Sequence, residues 1–318
     1  MGRDYIYPYL IASAISLEVS VYPKPGNVHR LADLPNMKFE DFILSSHIVV
    51  KWFLRGFKRG MRAKWGKTIF GDLIYYAIKD IIRYTGVNTS LGSLTLLIPL
   101  TINTGYCIAN EKPLLDCIVE SSRVLKPTTV YDSIYYYKAV RIARPSHLPR
   151  LSNNEYVDVW ARDYARQLRI RRHRLVDVFE YSRQVEIVHD ELLSGYKRSL
   201  KALNVLEENL KRQNNWNKSV VATYIYLLSR ENDTLIVRKH GVEPAEYVRR
   251  KAREIYENLI NGNPEWFRQV YEFDQELRRK KINPGSLADI ICSTIALYLI
   301  KKHLEAETDL YINLFKPH

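Results

Sequence analysis

Apolar residues recur every three to four positions along almost the whole chain, the spacing that gathers them on one face of an α-helix. The segment "YLIASAISLEVSVY" predicts a first helix reaching about Tyr22, and a second starts near Phe39 and runs into the basic "KWFLRGFKRG". "GDLIYYAIKDIIRY" predicts a third. From Tyr84 to Asn110 there is no charged residue, a length sufficient for a membrane span. Its Thr, Asn and Gly content and its central Pro99 point instead to a fully buried helix starting near Thr89 or Ser90. "EKPLLDCIVESSRVL" predicts a fifth helix, stopped by Pro127. "TTVYDSIYYYKAVRIA" opens with Thr129 three residues before Asp132, a box-like N-terminal signal, and "RPSHLPR" ends it. From Glu155 to Leu210 the pattern is helical nearly without pause, Gly195 marking a break. The remainder reads as "VVATYIYLLSR", a loop "ENDTLIVRKHGVEP", then helices in "AEYVRRKAREIYENLI", "PEWFRQVYEFDQELRR" and "SLADIICSTIALYLIKKHL".

Composition agrees. Only 13 glycines occur in 318 residues, too few turn signals for an all-β chain. No linker, low-complexity block or repeat divides the sequence. The expectation is therefore all-α, a single large multi-helix globular domain over 1–318, with Pro145 to Pro149 the nearest thing to a boundary. Lys, Arg and Ile are frequent while Cys and Met are rare, a bias compatible with a heat-adapted source. The formal net charge of +13 attracts anions without choosing among nucleotides, nucleic acid and acidic surfaces. Cys107, Cys117 and Cys292 form no C-x-x-C pair, so they read as reduced core residues rather than a zinc site or disulfide framework. "MGRDYIYPYL" lacks the apolar run of a signal peptide, and a cytoplasmic protein with no membrane partner is expected.

Three polar islands interrupt the apolar runs: "YPKPGNVHR" at 22–30, "TGVNTSLGS" at 85–93 and "INPGSLAD" at 282–289. Each places Gly, Asn or hydroxyl residues at a helix start, where free N–H groups and the helix dipole favour an anion. Taken singly, helix capping explains each one as well. Walker A, dinucleotide-binding, H-E-x-x-H and G-x-S-x-G patterns are absent.

Two basic segments, "KWFLRGFKRGMRAKWGK" from Lys51 and "RDYARQLRIRRHR" from Arg162, read either as solvated helix faces or as surfaces for phosphate-bearing ligands or nucleic acid. Among the acids, Glu18 lies in an apolar run, Asp132 in the Tyr-rich helix, Glu186 and Glu191 close together in the long helical stretch, and Asp289 after the "NPG" turn. Clustered acids of this kind either hold Mg²⁺ on a triphosphate or form helix-surface ion pairs. His29, in the proline loop, is the histidine of most interest.

The four motifs "EVSVYPKPGNVHR", "GVNTSLGSLTLLIPL", "DTLIVRKHG" and "NPGSLAD", in this order and at these intervals, resemble the triphosphoribosyl-dephospho-CoA synthase family, and more closely its archaeal branch. The resemblance spans Glu18 to about Leu299. "VEIVHDELLSGY" is similar to a further family segment, with Glu186 where the family usually has Asp and with Glu191, Gly195 and Tyr196 matching. The family's Gly-rich loop after the Tyr-rich helix is replaced by Arg144 to Arg150, and the usual "LVDR" by "NVHR".

The resemblance implies an all-α transferase that moves the triphosphoribosyl part of ATP to the ribose 2'-hydroxyl of dephospho-CoA or a related CoA-like acceptor, releasing adenine and using Mg²⁺. Alternatives are ribosyl or phosphoribosyl transfer to another cofactor precursor, or a nucleotide- or RNA-binding protein without catalysis. On the matching positions, Lys24, Gly26, Asn27, Arg30, Arg238 and Lys239 are expected at phosphate, with Asp233 beside them. Asn88, Thr89 and Asn283 are expected at ribose or adenine. Glu18, His29 and Asp289 are expected in catalysis, and Asp132, Glu186 and Glu191 at the metal. The sequence leaves the oligomeric state open.

Overall fold

The computed structural model describes residues 3–145, 148 and 155–314, and side chains within 5–306 of these. It is all-α: among the described residues no strand forms, and two isolated bridges, His29 with Ala32 and Leu34 with Met37, tighten the proline loop. After a short 3-10 turn, α1 (Tyr7–Ser20) buries Ile11, Ala14, Ile15, Glu18 and Val19 on one face. Next come α2 (Phe39–Ile48), α3 (Val50–Arg62) and α4 (Gly71–Thr85). The charge-free segment becomes α5 (Leu91–Ala109), with Pro99 inside it and Leu94 to Gly105 buried throughout. It alone among the described residues is long and apolar enough to cross a membrane, and its burial accounts for that composition.

The short α6 (Leu114–Ile118) and α7 (Ser122–Leu125) precede α8 (Val130–Ala143), followed by α9 (Tyr164–Arg171), α10 (Leu175–Ser182) and α11 (Ile187–Leu193). Then come α12 (Lys197–Gln213), α13 (Trp216–Arg230), α14 (Thr234–His240), α15 (Val242–Ile260), α16 (Trp266–Arg279) and α17 (Gly285–Leu314). α5 is the axis: α3 lies along it, with α17 and α11 on other sides. Two glycines permit that approach, since a Cβ at Gly60 would stand 1.9 Å from the Ile102 carbonyl oxygen and one at Gly105 2.1 Å from that of Phe57. α17 packs on α1, α12 and α13, carrying its first turn into the middle of the molecule.

Several boundaries differ from the sequence expectation. The stretch 155–210 holds four helices where the pattern shows a break only at Gly195: positive φ at Arg172 (56°) and at Gly195 and Tyr196 (70° and 60°) stops the ladder twice, and the extended backbone at Glu186 stops it between α10 and α11. Only the Gly195 break carries a composition signal. The "DTLIVRKHG" loop is α14, a helix capped by Asp233. The expected fifth helix is the pair α6 and α7, and Val49 separates α2 from α3. The segment Pro145 to Pro149 falls largely outside the described residues. The cysteine reading is also corrected: Cys107, near the end of α5, bonds to Cys117 on α6, their Cα atoms 5.9 Å apart, and only Cys292 is free. The chain turns back between α5 and α6 and brings together two thiols that lie ten residues apart in sequence.

Candidate active site

The first turns of α5 and α17 meet end to end. Ser93 Oγ donates to Asp289 Oδ1 at 2.5 Å, and Gly92 lets the two helices close, since a Cβ there would lie 2.0 Å from Asp289 Oδ2. α14 joins them: Asp233 Oδ1 accepts from the amides of Leu235 and Ile236 while its Oδ2 accepts from Leu287 N at 2.7 Å, and the Thr234 and Ser286 hydroxyls lie 3.0 Å apart, with Ser286 the donor because Thr234 gives its proton to Glu186. Three helix N-termini thus converge, each contributing the positive end of its dipole.

Around them stand four acids in electrostatic contact. Burial pushes the Asp289 carboxyl up to about 8; the Ser93 bond opposes this, and the charges of Glu18, Glu186 and Asp233 add to it. Asp233 is pushed up to about 6, chiefly by burial, against the three amides it accepts from. Glu18 is raised by burial, against its ion pair with Lys24 at 2.5 Å. Glu186 pairs with Arg238 and accepts from Thr234 Oγ1 at 3.1 Å. Asp289, Glu186, Arg238, Lys239, Asn283, Asn88 and Thr89 are all half-buried, so the cluster is not sealed from solvent. Lys239 is depressed by burial and then by Arg238.

Unspent polar atoms concentrate here. Arg238 Nε, Asn283 Oδ1 and Asn232 Oδ1 are buried without a hydrogen-bond partner, and Asn27 Nδ2 lies beside the Tyr224 hydroxyl without a bond of normal geometry. Buried groups of this kind cost free energy unless something completes them. Tyr224 itself donates to the Pro284 carbonyl at 2.9 Å, tying α13 to the NPG turn.

The proline loop plays a different part from the one its composition suggests. After the cis Tyr22–Pro23 bond, Gly26 takes φ 70°, and a Cβ there would lie 2.1 Å from the Ile282 carbonyl oxygen. Its amide donates to Asp274 Oδ1 at 2.9 Å. The amides of Asn27, Val28 and His29 are bonded to Lys24 O, Asn27 Oδ1 and Ala32 O. His29 is spent as well: Nδ1 accepts from Leu31 N at 3.3 Å and Nε2 faces Asp274 Oδ2 at 3.2 Å. Arg278 completes the knot, pairing with Asp274 and donating to the carbonyls of Asn27 and Asp33. The Gly26 amide is therefore not a phosphate donor, and His29 has no free nitrogen for catalysis. Lys24, only 1% exposed, turns inward to Glu18 and away from a phosphate seat. Arg30 is exposed and stacks on Tyr22 at 4.2 Å.

Two of the three expected metal ligands are structural. Asp132 Oδ1 accepts from the amides of Ile69, Phe70 and Gly71, and Oδ2 from Thr129 N, so it caps α4 and α8 together. Glu191 accepts from Arg198 N and Ser199 N and caps α12. Glu186 stays in the acid cluster, paired with Arg238, and among the described residues no group of three metal-binding side chains forms. Asn88 Oδ1 caps α5 through Ser90 N and Leu91 N, and Thr89 bonds Ser45. Asp233, with both oxygens occupied, anchors helices rather than substrate.

Sequence reasoning missed a buried relay behind the acids. Ser182 Oγ donates to the Val178 carbonyl at 2.8 Å, so we assign the proton between Ser182 and His189 Nδ1 (2.7 Å) to the ring. His189 Nε2 then accepts from Tyr136 OH at 2.8 Å. Burial drives His189 down to about 4 and Tyr136 far up, and both feel the charges of Glu186 and Arg238. Ser93 and Gly92 lay inside a noted island, whereas no spacing signal links Ser182, His189 and Tyr136.

No curated relative matches the chain. A crystal structure from Archaeoglobus fulgidus, provisionally described as a triphosphoribosyl-dephospho-CoA synthase, is similar in fold: TM-score 0.61, 23% identity, 81% of this chain and 97% of that one covered. The sequence profile of the ATP:dephospho-CoA triphosphoribosyl transferases matches residues 7–308, nearly the whole chain, and the chain belongs to that family of transferases.

Proposed function

We propose that the transfer of the triphosphoribosyl group from ATP to dephospho-CoA takes place at the junction of α5, α14 and α17, with Asp289 as general acid and Glu18 as general base. The observation that supports this most is the meeting of three separate sequence islands at one cluster of acids, ringed by unspent donors and acceptors. In the reaction the bond from adenine N9 to ribose C1' breaks, and a bond from the acceptor 2'-oxygen to C1' forms. Asp289, protonated at neutral pH, gives its proton to the departing adenine. Glu18 takes the proton of the hydroxyl, and Lys24 beside it favours its ionised form. Negative charge from Glu186 and Glu18 stabilises the cation developing at C1'.

Arg238, Lys239 and the dipole ends of α5 and α17 hold the triphosphate. Arg30 meets it at the rim. Asn283 Oδ1, an acceptor, matches the adenine amino group, and Asn27 Nδ2, a donor, matches a ring nitrogen or ribose oxygen. Thr89, half-buried at the start of α5, is assigned to the sugar.

The donors present are oxygens, which suit Mg²⁺, an ion held through one or two carboxylates and the substrate phosphates rather than an all-protein cage. Glu186 fits that part. Bound Mg²⁺ supplies neutralisation of the triphosphate charge. A cytoplasmic setting, where ATP and a CoA precursor meet, belongs to the same reading.

The test is incubation with ATP, Mg²⁺ and dephospho-CoA, measuring free adenine and the mass of the CoA product. Adenine with a product heavier by one triphosphoribosyl group is expected. Adenine formed only with another acceptor would reject dephospho-CoA. No adenine with any acceptor, despite ATP binding, would reject catalysis at this site.

A further inference from the structure

The basic segment from Lys51 has no part in the site above, yet it builds a hollow of its own. Arg55, Lys58, Arg59 and Arg62 fall on one face of α3 at spacings of three and four. Ala63, at φ 49°, then turns the chain back so that Lys64 and Lys67 face that row. The six cations, with Thr68, line a concavity of about 460 Å³ that has no carboxylate in its wall. Its floor is fixed. Arg59 grips Asp72 with two bonds, at 2.8 and 2.9 Å, and the Ile69 carbonyl at 2.7 Å. Arg59 offsets the effect of burial on Asp72 and holds it below the usual carboxylate range.

The other five cations have no acidic partner among the described residues. Arg55 rests on Trp52 and Lys58 on Tyr5, contacts that orient the side chains without neutralising them. Five like charges around one hollow repel each other, and an anion with several linked charges relieves all of them at once. A hollow of this volume is of ligand-site size, larger than one phosphate fills. It is also separate from the acid cluster. Gly60 of α3 packs at Ile102 of α5, ten residues from Gly92, or about 15 Å along the helix.

We propose that this hollow is a second anion site, taking a small molecule that carries three or more linked phosphates. Single-stranded nucleic acid is disfavoured because the hollow presents no run of open aromatic faces for bases: Trp52 is buried and stacked on Tyr76, and Trp65 is half-buried against the core.

The test is calorimetric titration of the 318-residue chain with inorganic tripolyphosphate, orthophosphate and a short single-stranded RNA. The wild type is compared with the variant Lys58→Glu, Arg62→Glu, Lys64→Glu, whose three positions are all exposed. Arg55→Gln with Lys67→Gln serves as a second variant, should the first fail to fold. The expected result is at least tenfold weaker tripolyphosphate binding at one of two sites, with adenine release from ATP unchanged. Unchanged stoichiometry and affinity in a folded variant would overturn the proposal. So would orthophosphate binding as tightly as tripolyphosphate, or RNA displacing tripolyphosphate at lower concentration than tripolyphosphate displaces itself.

Discussion

The two proline-glycine-asparagine islands, "PKPGNVHR" and "INPGSLAD", look alike on paper and do opposite things in the fold. At 22–30 the amides of Gly26 to His29 and the ring of His29 are consumed by Asp274 and by the loop's own atoms. At 282–289 the turn leaves Asn283 Oδ1 unspent and presents a half-buried Asp289 carboxyl at a helix start. The first is a latch that locks α1 to α16, and the second is the wall of a site. Composition cannot separate a latch from a cradle. The inventory of backbone donors and of titratable side chains can: in the first island those of Gly26 to His29 are consumed, with only the Asn27 side-chain amide left over, and in the second the Asp289 carboxyl stays half-buried at the site.

The latch is the more sensitive to disruption. Asp274→Ala removes the partner of His29, Arg278 and the Gly26 amide at once, and leaving the mostly buried Arg278 charge uncompensated costs about 3–5 kcal/mol. Denaturant unfolding should show a loss of that size, while the folded fraction keeps most of its rate of adenine release. A stability change within about 0.5 kcal/mol would mean that the loop is held by something else.

The two glycines give a sharper contrast. Gly26→Ala meets both a positive φ and the Ile282 carbonyl, so a loss of about 2 kcal/mol or more is expected. Gly92→Ala sits at ordinary helical φ, where alanine is worth up to about 1 kcal/mol more than glycine. Its methyl displaces Asp289 Oδ2, so adenine release should fall about 10- to 100-fold with little loss of stability. The reverse pairing of effects would exchange the roles of the two islands.

The smallest effect is in pH. Asp289 holds its proton more tightly folded than unfolded, so the folded state loses stability as pH rises through the window that ends near 8. His189 has the opposite sign, but its window closes near its ordinary value of 6.5. Between pH 6.5 and 8 the ligand-free protein should lose about 2 kcal/mol, read by thermal melts, and Asp289→Asn should flatten that loss.

The fold class was legible because periodicity of 3.6 needs no long-range information. Thr129 and Asp132 were legible as a cap for the same reason. The metal role suggested for Asp132 failed because its true partners, the amides of residues 69–71, lie some sixty positions away. Asp274 was invisible in an ordinary amphipathic helix, and the relay from Ser182 through His189 to Tyr136 joins residues 7 and 53 apart in sequence. Asp289 and Glu18 were legible as acids out of place beside apolar runs. That Asp289 meets Ser93, 196 residues earlier, emerges only when α5 and α17 are brought end to end.

The most direct measurement is the burst of free adenine in a single turnover, with enzyme in excess over ATP and dephospho-CoA saturating, for Asp289→Asn against the wild type at pH 7. Asparagine preserves the acceptor for Ser93 and removes the proton. The account predicts a rate lower by about 10²- to 10⁴-fold with ATP still bound and the fold intact. A rate within twofold of wild type would contradict it.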